Sequence, residues 1–149
     1  FQGMDLTDGA GNLSPLLLLA NNLRACAVTM LYGLIPFVRL PALALGVNAV
    51  LLGGLAACYA ATDTTMLLYA ASLLPHGIFE LPALILAFSM GLYICGHLTR
   101  RCSRDPAALP LGACLGLAAR LLVFLLLPLL ILAALTEAYV TPLAAGLFL

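Results

Sequence analysis

The stretch Pro75-His76-Gly77-Ile78-Phe79-Glu80-Leu81-Pro82 decides how this chain is read. In a protein whose residues are 64% hydrophobic, it is the one place where a histidine and a carboxylate stand together at the head of a long apolar run. If the segment is helical, His76 and Glu80 are one turn apart and their side chains meet on one face. Pro75 suits a first helical position, whereas Pro82 cannot donate to the Ile78 carbonyl and is expected to kink the helix or start a new one. Irregular backbone at membrane depth survives only where protein or a water-filled cavity covers its free polar groups. The stretch therefore predicts an inward-facing entry to a transmembrane helix.

Composition supports a membrane chain. Charged residues make up 8% of it, Trp and Lys are absent, and the mean hydropathy is +1.17. Soluble domains carry about 25% charged residues, so the expected class is an all-α, polytopic transmembrane bundle. Zero net charge and only six Arg argue against nucleic acid as a partner, because phosphate neutralisation needs a basic surface. The bilayer and other membrane or envelope proteins are the expected partners. Phe1-Gln2-Gly3 reads as the remnant of an expression tag ahead of a native Met4, leaving residues 4–149 as a single membrane domain. The acidic start Met4-Asp5-Leu6-Thr7-Asp8 lacks the basic region of a secretory signal. The five cysteines form no CxxC pair and four lie in apolar runs, so neither a disulfide framework nor a thiolate metal site is expected. No cofactor is expected either.

Four spans follow from the apolar runs, each near the ~20 residues that a bilayer requires. They are predicted at residues 20–38, 41–61, 76–98 and 111–139, the last kinked at Pro128. Asp5 to Asn12 reads as a mobile polar stretch. Leu13 to Ala20 and Met66 to Leu74 are too short to span and read as interfacial helices. Ala83, Ala87 and Gly91 repeat every four residues on the third span, a smooth stripe on which another helix can pack closely. With Gly112 and Gly116 on the fourth span, the same stripe makes a homo-oligomer plausible.

Arginines orient the bundle. The Arg39 turn and the Arg100 to Arg104 loop share one side, and positive charge marks that side as cytoplasmic. Both ends of the chain then fall outside, which leads to the expectation of a further helix ahead of Met4. Asn21, Asn22 and Arg24 open the first span, His76 and Glu80 the third, and Glu137 closes the fourth, so all converge near the outer face. Asn48, midway along the second span, forms the floor and is expected to bridge helices.

These residues carry a resemblance. LLPHGIFELPALILAFSMGL, Leu73 to Leu92, is similar to the signature of the stage II sporulation protein M family, approximately Pro-His-Gly, two residues, Glu-Leu-Pro-Ala. Leu19 to Leu23, with Asn21-Asn22, resembles the family's Asn-Asn helix entry, and Ala133 to Pro142, AALTEAYVTP, its closing pattern. Where the family usually has Asn-Gly in the second helix, this chain has Asn48-Ala49. The resemblance touches all four spans and implies a multi-pass protein of the inner membrane. In spore formers, the name-giving member is a scaffold that recruits peptidoglycan-degrading partners, whereas many members occur where no spore forms.

Three functions fit the residues. A non-enzymatic scaffold or assembly factor would use the polar cluster to fix helix geometry. An intramembrane hydrolase would use His76, Glu80 and Glu137 as metal ligands, since imidazole and carboxylate suit zinc and glutamate serves as a general base. A transporter component is disfavoured by the lack of an inverted repeat and the scarcity of ionisable groups. For the same residues, hydrogen bonding between His76 and Glu80 and an Arg24–Glu137 ion pair tying the first and fourth spans together are the structural roles. Arg120 is expected to snorkel. A scaffold is favoured over a catalyst.

Overall fold

The computed structural model describes residues 14–61 and 66–141, apart from the side chains of 66–72 and 76. The tag remnant at 1–3, the polar stretch from Asp5 to Asn12 and the linker at 62–65 lie outside the described residues. Among the described residues, four helical segments are long and apolar enough to cross a membrane: Pro15–Leu34, Leu40–Ala61, Gly77–Cys102 and Leu111–Val140.

Helix α1 runs Pro15–Leu31, with Ser14 at its N-cap in extended geometry and Pro15 pre-set at the first helical position. The run from Leu13 to Ala20, expected as a separate interfacial helix, is the start of this same helix. Between Leu16 and Tyr32 there is neither Gly nor Pro, and an Asn pair lowers helix propensity by only about 1 kcal/mol in all, too little to stop it. Asn21 and Asn22 thus lie inside α1 and do not open it. A 3-10 turn, Tyr32–Leu34, ends the segment, and Ile35 leaves for extended backbone (φ −93°, ψ 103°) because Pro36 follows. Phe37 (φ 70°) and Arg39 (φ 48°) take left-handed conformations that reverse the chain into α2, Leu40–Ala61.

Helix α3 spans Met66–Cys102, 37 residues, with both Pro75 and Pro82 inside it. At ~1.5 Å per residue it is roughly 55 Å long, well beyond the ~30 Å hydrocarbon layer. The expected break before His76 is therefore absent, and the Met66 to Leu74 stretch is the first part of α3. A helix keeps backbone groups paired where no water can, so a proline that removes one bond does not end it. The fourth segment comprises α4, Leu111–Leu121, and α5, Leu127–Leu135, with π-helical turns at Leu122–Leu126 and Thr136–Val140. The first π turn lies directly before Pro128, where the widened helix accommodates the missing N–H.

The core is made by α1, α3 and the fourth segment: Cys26 and Met30, then Ala83, Ala87, Met90 and Ile94, then Cys114, Ala118, Leu126 and Leu130. Cys26, Cys95 and Cys114 are buried as small apolar groups. The Ala83-Ala87-Gly91 stripe is used inside the bundle. A Cβ on Gly33 would run into the Gly91 backbone, and one on Gly91 would meet the Thr29 carbonyl and Pro41 Cγ, each at 2.8 Å. Only glycine permits this approach. The stripe consequently belongs to an intramolecular contact, whereas Gly112 and Gly116 face open space.

Candidate functional site

Helix α1 and the turn that follows it run parallel to α3. The Thr29 carbonyl and Gly33 each abut Gly91, Cys95 Sγ donates to the Ile35 carbonyl (3.4 Å), and the Phe37 N–H donates to Thr99 Oγ1 (3.0 Å). These four contacts define two ends of the bundle.

At the first end, Glu80 is half-buried and leads the Ala83-Ala87-Gly91 stripe, so it occupies the face of α3 that α1 covers. Asn22, also half-buried, continues the face of α1 made by Cys26 and Met30 one turn earlier. Asn21 and Arg24 are exposed. Glu137 is half-buried in the second π turn, which packs against α3. Thr136 Oγ1 donates to the carbonyls of Leu132 (2.8 Å) and Ala133 (2.9 Å), and Thr141 Oγ1 donates to the Thr136 carbonyl (3.2 Å), so neighbouring hydroxyls bond the helix's own carbonyls around that turn. Asn22 and Glu137 therefore stand on elements that each pack against α3, the helix that carries Glu80.

His76 precedes Glu80 by one turn of α3, and its side chain lies outside the described residues, as does the expected His76–Glu80 pair. Among the described residues, no group of three His, Cys, Asp or Glu is arranged to hold a metal ion.

Asn48 does not join this end. Its Nδ2 donates to the Ala44 carbonyl of its own helix (3.0 Å), and the residue is exposed. The expected bridge between helices is replaced by a bond to the residue four earlier, as for Thr29 on Ala25 (2.8 Å) and Ser89 on Ile85 (2.8 Å). A short polar side chain in an apolar helix finds its nearest acceptor on the preceding turn. Arg120 is exposed on α4.

The opposite end holds a feature that sequence reading passed over. The reversed turn at Phe37 and Arg39 and the last turns of α3 enclose a cleft of about 610 Å³, with Arg39, Arg100, His97 and Tyr93 in its lining. His97 Nδ1 accepts the Leu109 N–H (3.2 Å), which leaves the ring proton on Nε2. Its ring meets Tyr93 edge-on, with centroids 4.5 Å apart. The signal available in sequence was Tyr93-x3-His97-x2-Arg100 on one helical face.

The chain matches the family model described as Stage II sporulation protein M over residues 7–142. No curated protein and no solved structure matches.

Proposed function

This chain belongs to the stage II sporulation protein M family, and on that premise we propose that it acts as a scaffold in the cell's inner membrane, holding partner proteins in or beside the bilayer. The observation that carries this reading is the contrast between a core closed by backbone contact at Gly33 and Gly91 and an α2 segment of which only 6% is buried. A rigid body with one largely uncovered helix suits the positioning of another protein better than the enclosure of a substrate. In this reading the Arg39 turn and the loop after Arg100 face the cytoplasm, by their positive charge. In the same reading Glu80, half-buried at the head of the small-residue stripe, holds α1 against α3.

The test is Glu80→Gln. Removing the charge is expected to lower the thermal midpoint of the purified protein and to reduce the set of proteins crosslinked to it in native membranes. An unchanged midpoint together with an unchanged crosslinking profile contradicts the proposal.

A further inference from the structure

We propose that the cleft at the arginine end binds the phosphate headgroup of an anionic phospholipid. The inference is independent of the scaffold reading and rests on three features of the cleft.

The first is how the cations are presented. Arg39 stands on a turn with two left-handed residues, a conformation that costs roughly 1–3 kcal/mol per residue where the side chain is not glycine and persists only when its surroundings hold it. Here the Phe37 N–H bond to Thr99 Oγ1 and the Cys95 thiol bond to the Ile35 carbonyl pin the turn to α3. Arg39 is thereby brought to the same cleft as Arg100, which lies sixty-one positions later in the chain.

The second is charge. Two guanidinium groups and the His97 Nε2–H supply donors, and among the described residues no carboxylate lines the cleft. Guanidinium forks match phosphate oxygens in pairs.

The third is the setting. Phe37, which is 65% exposed, and Leu92 and Tyr93 give the cleft an apolar and aromatic wall beside its cations. These lie at the end of a span, where aromatic rings mark the boundary between hydrocarbon and headgroups. A soluble anion makes no use of such a wall, whereas a lipid lays its acyl chains along it and its phosphate under the arginines. Basic pockets between transmembrane helices take anionic headgroups in this way. The volume lies within the ~300–1,000 Å³ of ordinary ligand sites.

The full chain, solubilised in neutral detergent, is titrated separately with phosphatidylglycerol and phosphatidylcholine, and the bound lipid is counted by native mass spectrometry. Phosphatidylglycerol is expected to be retained in preference, with Arg39→Gln/Arg100→Gln weakening its retention ~10-fold or more. Arg101→Gln/Arg104→Gln removes equal charge outside the cleft lining and is expected to leave retention unchanged. If the glutamine pair fails to give monodisperse protein, Arg39→Lys/Arg100→Lys keeps the charge, loses the fork and is expected to weaken retention partially. Equal retention of the two lipids overturns the proposal, as does equal loss in the two glutamine pairs. Millimolar inorganic phosphate is expected not to displace the lipid; displacement would assign the cleft to a soluble anion.

Discussion

Helices α2 and α3 have the same mean hydropathy in their spanning windows, yet 39% of the α3 window is buried in the bundle and only 6% of the α2 window. Hydropathy governs whether a segment enters lipid, and it says nothing about what the segment packs on once there. On α3 the small residues Ala83, Ala87 and Gly91 line up toward α1 and the 3-10 turn after it, where Gly33 supplies a matching surface without a side chain. On α2, Gly46, Gly53 and Gly54 are as small, and a Cβ on any of them would meet nothing within 4 Å. Small residues therefore become a contact only where another segment comes close enough to meet them.

Substitutions break or sharpen that contrast in a graded way. Leu130→Ala empties a site with no solvent exposure between α5 and its neighbours. It is expected to cost toward the lower end of about 2–5 kcal/mol, because lipid also solvates leucine in the unfolded reference state. Denaturation in mixed micelles reads this directly, and a loss no greater than that of an exposed leucine on α2 would remove the asymmetry. Gly91→Ala forces a methyl group against the Thr29 carbonyl and Pro41 and is expected to cost about 1–3 kcal/mol. Asn48→Ala deletes a bond that α2 makes only to itself, so a change below ~0.6 kcal/mol is expected in the same assay. A larger loss would mean that the carboxamide holds another helix after all.

Much of the architecture was legible in sequence, since apolar length and the four-residue stripe are local signals. The fourth segment and α2 fall where the apolar runs place them, whereas the first segment runs Pro15–Leu34 and not 20–38 as expected. Proline at 75 and the polar pair at 21 and 22 misled, because each weakens a helix in water and neither ends one where the alternative is an unpaired peptide group in hydrocarbon. Asn48 misled in a different way. Whether an amide reaches a neighbouring helix depends on how near that helix is, which no local pattern records. The π turn around Glu137 and the cleft joining Arg39 to Arg100 depend on how distant segments are juxtaposed, and so emerge only from the fold.

The most direct test adds the same methyl group on either side of the comparison, as Gly91→Ala and Gly53→Ala, and measures the unfolding midpoint of each in the same bilayer mimic. The account predicts a clear loss for Gly91→Ala and none for Gly53→Ala. Equal midpoints would contradict a core closed by backbone contact between α1 and α3.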